Sequence, residues 1–321
     1  MTGGPGARRT VPAELHGARA DAAVRALFQL TWGEARERID RGKIDLDGAA
    51  LLDRDARVAA GQKLDFTPDA PRPRKRLARQ AVELVYIDAH LAVVAKPPGI
   101  ATVPFEDDIR DTTLDRLVRD RLLHLPGARL RGGTPPPPGV VHRLDRNTSG
   151  LIVFARSRRA GEGLKAQFRE HTAHRRYLAI AHGLVEAGTL RSHLMVDRGD
   201  GIRGSAERAR EKRGKGVRGG KLAVTHVTPV EKLAGATLVE CRLETGRTNQ
   251  IRIHLAEAGH PLVGETMYLR DFPGRPLPAP RLMLHAAELG FVHPATGEEV
   301  LFKLPLPADM QAVLRTMRGE K

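Results

Sequence analysis

The 321-residue chain is 41% hydrophobic, enough for a sizeable core and, at ordinary domain sizes, for about two domains. Its 53 Lys and Arg against 38 Asp and Glu leave a formal charge of +15, which points to a polyanionic partner, while aromatics at 4% argue against a surface built mainly on stacking platforms. No apolar run approaches the roughly 18 residues of a membrane span, no apolar stretch follows the basic start to make a secretory signal, and the lone Cys241 excludes an internal disulfide or a multi-cysteine zinc site; the expectation is a soluble, cytoplasmic protein with no membrane partner.

Residues 1–18 carry no periodic pattern and are expected to be flexible. Residues 19–66 read as a small α/β module. Ala20, Val24, Leu27 and Phe28 have helical spacing, which predicts a helix over Ala20–Phe28. Thr31-Trp32-Gly33-Glu34 has the pattern of a capping box, so a second helix starts there and stops at Gly42. Lys43–Gly48 alternates like a strand and ends in an Asp-Gly turn signal. Arg19, Arg25, Arg36, Arg38, Arg41 and Lys43 cluster in and around the two helices, either as an ordinary solvated surface or as phosphate contacts. Residues 67–81 follow as a linker. Its Pro71–Arg79 stretch holds five cations and no anion, with Arg74, Lys75 and Arg76 as further candidate phosphate contacts.

From residue 82 to 316 strands and helices are interspersed, which predicts an α+β domain on a mixed, mostly antiparallel sheet. Val82–Ile87 and Leu91–Ala95 make a hairpin-like pair, and Thr113–Leu123 is helical with Leu114, Leu117, Val118 and Leu122 on one face. Thr134–Gly139 must be a loop, because its four prolines cannot donate to a ladder. Strands are expected at Gly150–Ala155, Tyr177–His182, Ala223–Glu231, Thr237–Glu244, Glu288–Val292 and Val300–Leu304, and helices at Ala160–Glu170 and Asn249–Ala258. Arg198–Lys221, with nine cations, three anions and seven glycines, is expected to be a mobile basic loop.

The stretch richest in chemistry is His142-Arg143-Leu144-Asp145-Arg146-Asn147-Thr148-Ser149-Gly150, directly before an apolar strand. A carboxylate between two arginines is either a structural ion-pair partner or an anionic nucleophile. Tyr177 by position is a core strand aromatic, and His254, one turn from Ile251, Leu255 and Ala258, is a packed core histidine. Thr248 is a plausible N-cap and Gly259 a plausible stop for that helix. His171 and His174 are three apart but lack a third ligand, so no metal is expected. The glycines of 198–221 do not form a phosphate-loop pattern.

The string His142–Gly150 resembles the active-site motif of the RluA-type pseudouridine synthases. Four further blocks are similar to that family over residues 82–307: Leu84–Asp88 with Ala95–Gly99, Phe168–Ile180, Leu243–Leu255 with Gly259–Gly264, and Arg281–Ala286 with Phe291–Pro294. Residues 18–66 resemble the S4 RNA-binding motif. The resemblance implies the pseudouridine synthase fold, with Asp145 as the catalytic aspartate, Tyr177 stacked on a flipped uracil and Arg252 ion-paired with Asp145. It also implies that Arg143 enters the space left by the flipped base, that Ile251 lines the base pocket, and that Arg146, Arg247 and Asn249 lie in the substrate-binding segments. Three residues depart from the pattern: Asn249 stands where the family usually has His, Glu265 where Asp is usual, and Arg175 where Lys is usual. Turning uridine into pseudouridine breaks one glycosidic bond and makes another, so no cofactor is needed. The expectation is a monomeric enzyme acting on structured RNA, large-subunit ribosomal RNA first and transfer RNA second. A non-catalytic RNA-binding or ribosome-assembly protein is the rival; a hydrolase lacks a second paired acid.

Overall fold

The computed structural model describes residues 7–70, 82–104, 112–125, 137–197, 202–213 and 219–320. Internal packing divides the chain into two units, Met1–Arg76 and Leu77–Lys321. Among the described residues no helix is long and apolar enough to cross a membrane.

The N-terminal unit contains β1 (Ala7–Thr10), a 3-10 turn at Ala13–Leu15, α1 (Ala20–Phe28), α2 (Trp32–Asp40), β2 (Ile44–Leu46), β3 (Ala49–Ala50) and β4 (Lys63–Phe66). Both halves of the capping box form: the Thr31 hydroxyl accepts from the Glu34 amide, and the Thr31 amide donates to the Glu34 carboxylate at 2.8 Å. Asp47 and Gly48, at φ 52° and 82°, make the left-handed turn that joins β2 to β3. The strands pair in the order β1-β4-β2-β3, all antiparallel, and α1 and α2 bury Val24, Ala35 and Ile39 against Ile44 and Leu64. Residues 7–10 are therefore not a flexible tail; β1 completes the sheet by pairing with β4, and Val11 behind it is buried. Several candidate RNA-binding cations have partners inside this unit. Arg36 donates to Asp21, Arg38 lies 4.3 Å from the Phe66 ring centroid, Arg41 pairs with Glu37 and Lys43 donates to the Ala70 carbonyl. Arg74, Lys75 and Arg76 lie outside the described residues.

The second unit contains β5 (Glu83–Ile87), β6 (Leu91–Lys96), α3 (Leu114–Leu123), β7 (Gly139–Val140), β8 (Ser149–Ala155), α4 (Arg158–Arg169), β9 (His174–His182), β10 (Gly188–Met195), β11 (Gly204–Ser205), α5 (Ala206–Arg213), β12 (Lys221–Leu233), β13 (Ala236–Leu243), α6 (Gln250–Glu257), β14 (Leu284–Val292), β15 (Glu299–Lys303) and α7 (Ala308–Arg318). The strands form one eleven-stranded sheet in the order β11-β10-β12-β13-β9-β14-β8-β6-β5, with β15 beside β14 and β7 beside β8. Among these pairs only β8 with β14 is parallel. The expected α+β class and antiparallel bias are thus what the chain adopts. All of β8 is buried, because its alternate residues feed two cores. Ile152 and Phe154 pack with Leu114, Val118, Leu144 and Tyr177, whereas Leu151 and Val153 pack with Leu164 and Phe291 on the other face.

Residues 198–221 are not simply a loop. Within them β11 pairs with β10, and α5 follows with Ala206 and Ala209 buried. The side chains that order it are acidic: Glu207 accepts from the His193 amide at 3.0 Å, and Glu257 from the Ser205 amide at 3.0 Å. β10 and α7 were also not foreseen. Thr134–Pro136 of the expected loop lie outside the described residues, Pro137 and Pro138 belong to no helix or strand, and Gly139 opens β7.

Candidate active site

Asp145 sits in the loop between β7 and β8, and that loop is braced by the segment after β6. The buried ammonium of Lys96 donates to three carbonyls, those of Pro97 at 3.1 Å, Arg146 at 2.9 Å and Thr148 at 2.7 Å. The Gly99 amide also donates to the Arg146 carbonyl at 2.8 Å, and the Thr102 hydroxyl donates to the Leu144 carbonyl at 2.9 Å. Burial pushes the Lys96 ammonium down to about 7; Asp145 opposes that fall, while Arg281 and Arg146 add to it. Behind the loop, Arg281 holds Asp309 of α7 through two bonds and turns its third nitrogen toward the carbonyls of Leu282 and Asn147. Gly150, at φ 119°, has no room for a side chain: a Cβ there would lie 2.3 Å from the Ala286 carbonyl oxygen.

Tyr177 lies on β9 and is buried at 8% exposure, with its ring in the core that contains Leu144 and Ile251. Burial pushes its phenol up to about 12, with Arg175 opposing and Asp145 adding to the rise, so it is a neutral hydroxyl at physiological pH. Beside it His142 stacks on Phe168, centroids 4.2 Å apart, and its Nε2 accepts the Val153 amide at 3.1 Å. Burial, helped by Arg175, lowers His142 to about 3, which keeps that nitrogen an acceptor. His174 faces Glu288 at 3.1 Å, and among the described residues no group of three His, Cys, Asp or Glu is placed to hold a metal ion.

The third wall comes from the turn into α6. The buried amide of Gln250 ties that turn down: its Nε2 donates to the Val224 carbonyl and Thr225 hydroxyl, and its Oε1 accepts from Thr245 and from the Arg247 amide. Asn249, at φ 58°, occupies the N-cap position expected for Thr248 and accepts from Arg252 at 3.1 Å while donating to the Tyr268 hydroxyl at 2.9 Å. Arg247 donates to the Leu222 carbonyl at 3.0 Å.

Arg252 does not pair directly with Asp145. Its Nε and Nη2 instead grip both oxygens of Glu265, at 2.8 and 2.7 Å, and Glu265 Oε1 further accepts the amides of Thr266 and Met267. A fully buried carboxylate thirteen residues away satisfies the guanidinium, and Asp145 acts on it only through space. Burial alone would lower Arg252, yet Glu265, with a smaller contribution from Asp145, raises it well above the usual guanidinium range. Glu265 is held below the usual carboxylate range against its own burial by the same pair.

These three walls enclose a cleft of about 630 Å³, lined among others by Arg143, Asp145, Tyr177, Arg247, Asn249 and Ile251. Six of the eight expected site residues therefore share one cavity. Arg252 stands behind it against Glu265, and Arg146 contributes its carbonyl to the Lys96 brace. Lys165, Arg169, Arg175 and Lys221 add positive charge to the lining. Lys96 and Gln250 were not singled out in advance, and Glu265 and His142 were named only as part of the family pattern, without a role. The contacts of all four are largely to distant backbone or to a partner with no fixed spacing, and a linear sequence carries no signal for those.

A basic cleft lined by one carboxylate, Asp145, and one buried tyrosine, Tyr177, suits an anionic substrate. The sequence profile described as RNA pseudouridylate synthase matches residues 90–257, just over half the chain. A protein of Zymomonas mobilis named ribosomal large subunit pseudouridine synthase D is 35% identical over 317 residues, covering 96% of each chain. A protein of the same name from Pseudomonas aeruginosa is 33% identical, covering 97% of this chain and 95% of its own. Among solved structures, human RNA pseudouridylate synthase domain containing 4 has the same fold, with a TM-score of 0.57 at 22% identity over 73% of this chain and 92% of that one. The chain belongs to the RluA-type RNA pseudouridylate synthase family and is an RNA pseudouridine synthase, an isomerase.

Proposed function

We propose that this enzyme converts specific uridines of large-subunit ribosomal RNA to pseudouridine, with Asp145 as the reacting carboxylate. The observation that carries the assignment of roles is the convergence of Asp145, Arg143, Tyr177 and Ile251 on one cleft. The ribosomal target is supported by relatives that bear it in their names and match nearly the whole chain.

A stacked uridine is out of reach of such a cleft, so it must be extruded at a cost of a few kcal/mol. Tyr177 offsets part of that cost by stacking on the base, Ile251 supplies apolar wall, and the exposed Arg143 fills the gap left in the RNA. Asp145 then assists cleavage of the N1–C1′ bond. The base turns, C5 bonds to C1′, and the C5 proton leaves to a base. Every atom of the uridine but that exchanged proton is retained, so the step needs no electron acceptor. Arg252, locked by Glu265, supplies a fixed positive field toward Asp145. Arg146, Arg247 and Asn249 flank the entering nucleotide. In this reading the N-terminal unit is an S4-like RNA-binding module, and the protein works as a monomer in the cytoplasm, where that RNA is made.

Release of tritium from 5-[³H]uridine-labelled ribosomal RNA tests the chemistry, because forming the C5 bond expels the C5 hydrogen. Asp145→Asn is expected to abolish release while RNA binding persists, since phosphate contacts dominate affinity. Substantial release by a folded Asp145→Asn protein would overturn the role. Carbodiimide-based primer extension on RNA from a deletion strain tests the target: a site missing from transfer RNA rather than ribosomal RNA would replace the substrate but leave the chemistry standing.

A further inference from the structure

The chain contains one tryptophan, and the fold does not bury it. Trp32 is the first residue of α2 and is 42% exposed, the only tryptophan among few aromatics in a strongly basic protein. The capping box at Thr31 and Glu34 fixes the turn that carries it, so the ring is presented from a rigid helix start. Two guanidinium groups lie against it, Arg36 at 5.3 Å and Arg25 at 4.6 Å from the ring centroid.

The two arginines are held very differently. Arg36 is oriented from beneath: its Nε donates at 3.0 Å to Asp21, a carboxylate with 0% side-chain exposure that also takes two bonds from Arg19. Arg25, on α1, is exposed and pairs with no carboxylate among the described residues; its one charge-specific contact is the ring. Next in the chain comes Gly33, which the fold does not require. Its backbone is not left-handed, and beyond its chain neighbours and its own helix backbone a Cβ there would come no nearer than 4.0 Å, to the Thr31 hydroxyl. A glycine near the start of a helix forgoes the helix preference of alanine, and it adds no side chain beside the 42% exposed Trp32.

From this arrangement we infer that Trp32, with Arg25 and Arg36, is a stacking site for an unpaired nucleobase of the RNA, with Arg25 swinging from the ring to the adjoining phosphate. The inference rests on the reading of the N-terminal unit as RNA-binding, and it adds the chemistry of one contact. An indole face accepts any base and an unpaired guanidinium accepts any phosphate, so the site recognises single-stranded nucleotides without reading their sequence. A purely electrostatic surface would need no exposed indole. A protein-docking patch would be expected to recruit apolar neighbours around it, whereas Trp32 is flanked by two cations.

Because Trp32 is the sole tryptophan, its fluorescence reports on this site alone in the full-length protein. The probe is a twelve-residue oligoadenylate, which contains no uridine and is not a substrate, beside an abasic oligomer of equal length and charge. Oligoadenylate is expected to quench Trp32 saturably, and the abasic oligomer not to. Fluorescence anisotropy of end-labelled probes is expected to give about a five-fold or greater loss of oligoadenylate affinity for Trp32→Ala, partial recovery in Trp32→Phe, and no change for the abasic probe. Unchanged oligoadenylate affinity in a folded Trp32→Ala protein overturns the stacking site. The charge-reversed Arg25→Glu separates that failure from the broader one. If Arg25→Glu weakens both probes while Trp32→Ala weakens neither, the unit holds RNA through phosphates only. If neither substitution matters, this face does not bind RNA at all and the exposed indole serves a protein contact. Either result refutes the proposal.

Discussion

Replacing Glu265 by Gln isolates the contact that orients Arg252. The pair is buried on both sides, with side-chain exposures of 12% for Arg252 and 0% for Glu265. Gln keeps the oxygen that accepts the amides of Thr266 and Met267, but presents an NH2 group where Arg252 Nε expects an acceptor. Removing one member of a buried pair leaves the other charge uncompensated, which costs about 3–5 kcal/mol. For a unit the size of 77–321, each kcal/mol shifts the melting temperature by about 2–4 °C. The transition of this unit in calorimetry is therefore expected to fall by about 6–20 °C. Tritium release per folded molecule should fall with it, because Arg252 loses the fixed position from which it acts on Asp145. Glu265→Asp keeps the charge and shortens the reach by one methylene, so it should recover most of the stability and part of the rate. A Glu265→Gln protein within about 0.5 kcal/mol of the parent, the ordinary range for a substitution away from such features, would show that Arg252 does not depend on this carboxylate.

Lys96→Met keeps similar bulk but leaves the carbonyls of Pro97, Arg146 and Thr148 without their shared donor; at about 1–3 kcal/mol per buried group, offset by loss of the charge's own burial cost, a net loss of about 2–4 kcal/mol is expected in urea unfolding. Turnover of the folded Lys96→Met fraction should drop as well, since the loop carrying Asp145 loses its brace; turnover equal to the parent's would dismiss that role. Acid should unfold the protein early, because burial lowers His142 to about 3 and His254 and His285 to about 4, against 6.5 in an unfolded chain. A depressed folded pKa means stability that is complete above about 6.5 and lost as the pH falls toward those values, by up to about 1.4 kcal/mol per pH unit for each histidine. Urea midpoints at pH 7 and pH 5 measure it, and equal midpoints would contradict the buried neutral assignments.

The features legible in the sequence are those set by near neighbours. The box at Thr31 and Glu34 spans three residues, α1 follows its apolar spacing to the residue, and the Asp47-Gly48 turn needs only its own backbone. The order of residues 202–213 within the basic stretch was hidden for the opposite reason. Composition weighs its many charges equally, but order there depends on Glu207 meeting His193 and Glu257 meeting the Ser205 amide, and on two small alanines that bury cheaply. α7 carries only Met310 and Leu314 as fully buried residues, too thin a stripe to stand out. Within the site, Asp145, Tyr177 and Ile251, which the family motifs pick out, line one cleft. The partner of Arg252 was missed because a guanidinium can turn to any carboxylate within reach, and only the folded chain shows that Glu265 is nearer than Asp145. The role of Lys96 was hidden because its acceptors are backbone carbonyls, which every residue has.

The parallel pairing of β8 with β14 has a kinetic consequence. Ser149 and Gly150 lie opposite His285 and Ala286, about a hundred and thirty-five residues on, and Ser149 shares a 3.0 Å hydrogen bond with His285 across that join. Contacts so distant in sequence carry a large loop-closure cost and form slowly. The Asp145 loop ends at this junction and is also tied to Arg281, so it gains its shape only when the two distant segments have met. In refolding, the hairpins β5–β6 and β12–β13 close over short loops and give a first part of the strand signal early, while the capacity to release tritium returns with the slower β8–β14 closure. A chain caught between those two moments has part of its sheet and no functioning centre.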